Sequence, residues 1–168
     1  GIWMSIFHSV SAFCNAGFDI MGMESAKFAS ITAYRGNLLI NITIMLLIIV
    51  GGIGFLTWED ICIHKFHLKR YRMQSKVILI TSVLLILVPT VYFFFVEFTD
   101  VSMKERVLSS FFQAVSPRTA GFNTTNLTTM TDIGQFIVIV LMLIGGSPSS
   151  TAGGMKTTTF AVLLATTF

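Results

Sequence analysis

Two short segments carry the residue types that can strip water from a cation: Asn15-Ala16-Gly17-Phe18-Asp19 and, 104 residues later, Thr119-Ala120-Gly121-Phe122-Asn123. A backbone that turns several carbonyl oxygens toward one dehydrated ion needs a residue without Cβ at its tightest point, and each segment has Gly there. The chemistry is coordination by main-chain oxygen. A single Ala-Gly-Phe also fits a turn in which Gly ends a helix, and it is the second copy in matched context that argues against that reading.

No enzymatic constellation competes with it. The spans hold no Ser/His pair, no paired Asp and no His-Glu-x-x-His, so the chain is not read as an enzyme. His8, His64 and His67 lack metal-ligand spacing, and Cys14 and Cys62 form no Cys-x-x-Cys, so no metal beyond the permeating ion and no disulfide is expected. Gly153-Gly154-Met155-Lys156-Thr157 imitates a phosphate-binding loop, but Met155 separates the Gly from Lys156 where that motif needs them adjacent.

The elements that must position these loops follow from length and hydropathy. Residues 3–14 and 104–115, just before each motif, suit helices too short to cross a bilayer and therefore re-entrant. The C-terminal end of such a helix points its carbonyls toward the membrane centre, where the macrodipole favours a cation. Only 11% of the chain is charged, against about 25% in an ordinary soluble domain, and residues 37–56 and 77–96 each run for 20 positions without a charge. Both are expected to span. Between them, residues 57–76 hold five of the eleven Lys and Arg (Lys65, Lys69, Arg70, Arg72 and Lys76), which predicts a basic cytoplasmic loop rather than a nucleic-acid patch. With that loop inside, both Gly-Phe motifs open on the outer face.

The expected fold class is an all-α membrane protein built from potassium-channel-like units of span, re-entrant helix, filter loop and span. Residues 1–56 form one unit without its leading span (helix 3–14, filter 15–19, span 37–56). Residues 77–168 form another (span 77–96, helix 104–115, filter 118–123, broken span 133–168). The break is Gly145-Gly146-Ser147-Pro148-Ser149-Ser150-Thr151-Ala152-Gly153-Gly154, and the halves 133–144 and 155–168 are each too short to cross alone. Unwound backbone at membrane depth is tolerated only inside protein or beside water, which makes this loop a candidate gate. For Gly51-Gly52-Ile53-Gly54, close helix packing is a sufficient role. The chain opens on Gly1 and stops in an apolar run at Phe168, and is read as part of a longer one.

In Phe13-Cys14-Asn15-Ala16-Gly17-Phe18-Asp19, in Pro117-Arg118-Thr119-Ala120-Gly121-Phe122-Asn123-Thr124 and in the run from Gly145 through Lys156-Thr157-Thr158, the chain resembles the Trk/Ktr potassium transporter superfamily. The Ktr branch, which includes the sodium-dependent KtrB-type and NtpJ-like subunits, is the nearer match. The likeness covers essentially the whole chain, as the second and third of four pore-loop repeats. It implies one pseudo-fourfold pore per full-length chain, a homodimer of such chains, a cytoplasmic nucleotide-binding ring that regulates them, and a lipid-embedded place in a prokaryotic plasma membrane. The implied activity is potassium uptake, with sodium as coupling or activating ion and no bound cofactor.

Carried onto this sequence, the resemblance gives potassium to the backbone of Asn15, Ala16, Gly17, Phe18, Thr119, Ala120, Gly121 and Phe122, and the gate to residues 145–154. Arg118 is expected to support the filter by pairing with a carboxylate behind it. Two roles are open to Lys156: repelling cations at the gate, or snorkelling to the cytoplasm. The rival readings are a secondary transporter of another small solute by alternating access, and a non-conducting membrane assembly subunit. The first would place carboxylates in its broken helix, where this chain has Gly, Ser, Thr and Ala. The second leaves the repeated motif without a purpose.

Overall fold

The computed structural model describes residues 1–22, 30–65 and 67–167, and among these the architecture is helical throughout. Seven helices follow one another: α1 Ile2–Phe13, α2 Leu38–Ile53, α3 Phe55–His64, α4 Met73–Tyr92, α5 Met103–Val115, α6 Asp132–Leu143 and α7 Thr157–Thr167. A π-helical turn, Phe93–Glu97, extends α4 to 25 residues, about 37 Å of helix and enough to cross a bilayer.

Side-chain caps fix where the helices begin. Asn37 accepts from Ile40 N at 3.2 Å to start α2, Ser102 accepts from Glu105 N to start α5, and Thr131 accepts from Gly134 N at 3.1 Å to start α6. Asn41, 1% exposed, offers its amide to the carbonyls of Tyr34, Arg35 and Asn37 and so binds the preceding turn onto α2.

Three boundaries differ from the sequence expectation. The span expected at 37–56 ends at Ile53, because Gly54 takes φ 95° and the chain turns by 97° into α3. The expected loop 57–76 is therefore helical in its first part, and Met73 to Lys76 already belong to α4. The expected second half of the broken span starts later, at Thr157, since Met155 is held in a parallel β-bridge with Ile144.

Packing joins the two halves of the chain. One apolar core collects Ala12, Ile44 and Ile48 from the first half with Phe112, Val115, Ala120 and Phe122 from the second. A second core, with Phe93, Phe98, Ala114, Met130, Val138 and Leu141, lies within the second half. Meanwhile Ile80, Leu84, Leu87 and Val91, spaced to share one face of α4, are all exposed. That surface suits lipid or further protein rather than water.

The turn between α3 and α4 is tied at Asp60, which is 1% exposed. Its carboxylate accepts from Ser75 Oγ at 2.6 Å and from Arg72 N at 3.1 Å, with Arg72 Nε at 3.6 Å; Arg72 also pairs with Glu59 at 3.0 Å. The Ser75 hydroxyl, helped by the Arg72 N–H and guanidinium, holds the Asp60 carboxyl below its ordinary value against the opposing effect of burial. A lowered folded-state pKa means that this tie is complete above the ordinary carboxylate range and is lost as pH falls through the folded value. Asp60→Asn is expected to free the connection, so that trypsin cuts after Lys65, Lys69 or Arg70 faster than in the native protein at neutral pH. Unchanged cleavage kinetics would show that the tie does not order this turn.

Candidate functional site

Both Gly-Phe segments begin where a short helix ends, and both adopt the same unusual backbone. Asn15 and Gly17 have φ 50° and 69°; Thr119 and Gly121, their counterparts 104 residues on, have 78° and 84°. The residues between and after them, Ala16, Phe18, Ala120 and Phe122, do not have positive φ. Alternating the sign of φ turns successive carbonyls toward one side, whereas an ordinary strand alternates them. Thr119 is β-branched, and holding it there costs about 1–3 kcal/mol, which surrounding structure must over-determine.

The two loops meet. A Cβ on Gly17 would lie 1.6 Å from the Ala120 carbonyl oxygen, so the absence of a side chain is what permits the contact. Beyond the second motif, Asn123 N donates to Ser30 Oγ at 3.1 Å and Asn123 O accepts from Ile31 N at 3.2 Å, which fastens the second loop to the first half of the chain. Gly121 has no such neighbour: nothing lies within 4 Å of its corresponding position.

The Phe carbonyl that follows each Gly is tied to the helix before it. Ser11 Oγ donates to Phe18 O at 2.8 Å and Ser116 Oγ donates to Phe122 O, so both carbonyls turn back toward their own helix. One lone pair of each is thus occupied, and the serines set the exit angle of each loop. The rings differ, since Phe122 is 1% exposed against the His8 ring whereas Phe18 is 71% exposed. Asp19, at the end of the first motif, accepts from Met21 N at 3.2 Å and is exposed.

Arg118 lines a small cavity with Asn15, Gly52, Val115 and Gly146, and its Nε is buried without a hydrogen-bond partner. The expected carboxylate is not there: among the described residues the Arg–carboxylate pairs both involve Arg72. Among the described residues nothing meets that Nε, and a buried donor left unmet is costly.

Residues 145–154 fold into a closed knot. Gly145 N donates to Met155 O at 2.9 Å, Gly146 N to Gly153 O at 3.3 Å, and Thr157 N to Gly146 O at 3.1 Å. Side chains at the glycines would break it, since a Cβ on Gly145 would stand 1.8 Å from Gly153 O and one on Gly146 would stand 2.4 Å from Ala152 Cβ. The Lys156 Nζ donates to Ala152 O at 2.8 Å and braces the knot from within.

The knot docks on the bend after α2. Ser147 N donates to Gly52 O at 3.0 Å, Thr151 N to Gly51 O at 3.3 Å, and Phe55 N to Ser149 O at 2.9 Å, while a Cβ on Gly54 would reach Pro148 O at 2.4 Å. Close helix packing was the expected role of Gly51, Gly52 and Gly54. The Gly51 and Gly52 carbonyls, in the last turn of α2 where no helical N–H follows, accept from this loop, and Gly54 lets the chain turn close against Pro148. Three glycines in four residues at the end of an apolar span was the available signal. The Thr151 hydroxyl also reaches Phe13 O at 2.9 Å, which sets the loop directly against the end of α1 and the start of the first Gly-Phe segment.

Comparison with known proteins agrees with this geometry. The chain is 40% identical to the potassium/sodium uptake protein NtpJ of Enterococcus hirae over 98% of its own length and 36% of that protein's. It is 38% identical to the Ktr system potassium uptake protein B of Vibrio alginolyticus, over 100% of its length and 37% of the relative's. The chain thus spans little more than a third of these proteins. Among solved structures it resembles the potassium transporter TrkH of Vibrio parahaemolyticus, with a TM-score of 0.73 at 25% identity, covering 99% of this chain and 34% of that one. The family model described as TrkH, cation transport protein, matches residues 1–167, and with the helical fold and its paired loops this establishes that the chain belongs to the TrkH family of cation transport proteins.

Proposed function

We propose that this chain is part of the pore-forming subunit of a potassium-uptake system in a prokaryotic plasma membrane. The observation that carries the reading is the matched positive-φ pattern at 15, 17, 119 and 121, in two loops whose backbones touch at Gly17 and Ala120. Main-chain oxygens of Asn15, Ala16, Gly17, Thr119, Ala120 and Gly121 replace part of an ion's water, in loops anchored at their far ends by Ser11 on Phe18, Ser116 on Phe122 and Ser30 on Asn123. Two loops cannot enclose an ion, so the remaining ligands belong to chain beyond this one. The resemblance to the Ktr and Trk proteins supplies that expectation, together with a homodimer and a regulatory nucleotide-binding ring.

Uptake then needs no local hydrolysis, since an inside-negative potential provides about 2.3 kcal/mol per charge per 100 mV. Residues 145–154 form the gate, pressed against the inner end of the first loop. Sodium enters as coupling or activating ion on the resemblance to the Ktr proteins, and one relative, NtpJ of Enterococcus hirae, is named a potassium/sodium uptake protein. Arg118 supports the loops from behind rather than facing the ion.

The full-length protein in liposomes tests this reading. Under an inside-negative potential, potassium influx is expected to exceed sodium influx and to rise with added sodium. A solute-dependent counterflow without channel-like flux would favour alternating access, and no flux of any cation would favour an assembly subunit.

A further inference from the structure

We propose that Thr151 is the catch that holds loop 145–154 closed and links it to the first filter loop. This rests on the gate reading given above. The hydroxyl sits where three segments converge: Oγ1 lies 2.9 Å from Phe13 O, 3.1 Å from Gly51 O and 3.1 Å from Asn15 Nδ2, which donates to it. A hydroxyl has one proton, so the two carbonyls share or compete for it while Asn15 fills a lone pair. Gly51 makes the convergence possible, because a Cβ there would fall 2.0 Å from Phe13 O and 2.9 Å from Thr151 Oγ1.

Asn15 is the other half of the device. It is 7% exposed, takes positive φ, and leads into the first filter loop, and its Oδ1 is buried without a partner. Its side chain is therefore held from the amide side alone, by Thr151. When the loop leaves, Asn15 loses that bond, and the backbone that starts the first filter loop is released with it. By linkage, ion occupancy of the filter and seating of the loop bias each other. Thr151 is thus a positioning residue that acts through Asn15 and the loop.

The test uses the full-length protein in liposomes, with potassium and sodium influx measured per folded molecule for the native protein, Thr151→Val, Thr151→Ala, Thr151→Ser and a deletion of residues 147–151. Thr151→Val is expected to raise potassium influx about two- to tenfold, as the loss of one net hydrogen bond shifts the closed population, and Thr151→Ser is expected to restore the native rate. Native influx in Thr151→Val beside raised influx in the deletion overturns the catch and leaves the gate standing. If neither raises influx, the gate reading falls and the catch with it. If Val and Ala variants both fail to fold while Ser folds, the tie is a structural bond and not a releasable one.

Discussion

Gly17→Ala in the full-length protein is expected to abolish potassium uptake, with a loss of about 100-fold or more. Two costs add at this position. The φ of 69° disfavours any side chain, and the new Cβ would overlap the Ala120 carbonyl oxygen at 1.6 Å, a backbone atom that cannot swing aside. Relief requires the two loops to part, which moves the oxygens proposed to replace the ion's water. A loss of about 2.8 kcal/mol in that geometry already accounts for 100-fold. Gly121→Ala meets φ 84° but no neighbouring atom within this chain, so it is expected to be milder unless the missing chain fills that space. Uptake and potassium-over-sodium ratios measured side by side check this order. Normal selective uptake by Gly17→Ala would remove the loop from the pathway.

Deleting residues 147–151 is expected to act in the opposite direction and to raise influx by about tenfold or more, because the segment that docks on Gly51 and Gly52 and reaches Phe13 would be gone. Potassium-over-sodium preference is expected to fall without being lost, since Asn15 gives up its bond to Thr151 while Ala16 N still donates to Ser11 O, Ala120 N and Gly121 N to Ser116 O, and Ser11 and Ser116 still hold the Phe18 and Phe122 carbonyls. Influx at the native rate, with the native preference, would mean that the loop does not obstruct the path.

The helices were legible where solvent and length decide them. Segments 3–14 and 104–115 read as short helices from their extent, and the chain forms helices at Ile2–Phe13 and Met103–Val115. The repeated Gly was legible because a backbone with positive φ restricts residue type, although Asn15 and Thr119 show that position alone does not reveal it. What hydropathy could not report was long-range backbone hydrogen bonding. Residues 37–56 carry no charge, so hydropathy runs on past Gly54, and only the glycines at 51, 52 and 54 mark the place where the helix ends. That end is set by Pro148 and Ser149, over 90 residues away. The same blindness hid the serine bonds to the Phe18 and Phe122 carbonyls and the folded-back Lys156, each of which depends on where a side chain's partner stands in space.

Anomalous scattering from rubidium, soaked into crystals of the full-length protein in place of potassium, locates the ion against the loops themselves. Density is expected within direct coordination distance of carbonyl oxygens from both 15–17 and 119–121, between the facing loops and above residues 145–154. Rubidium bound elsewhere in the protein, with none beside either loop, would contradict coordination by these two backbones.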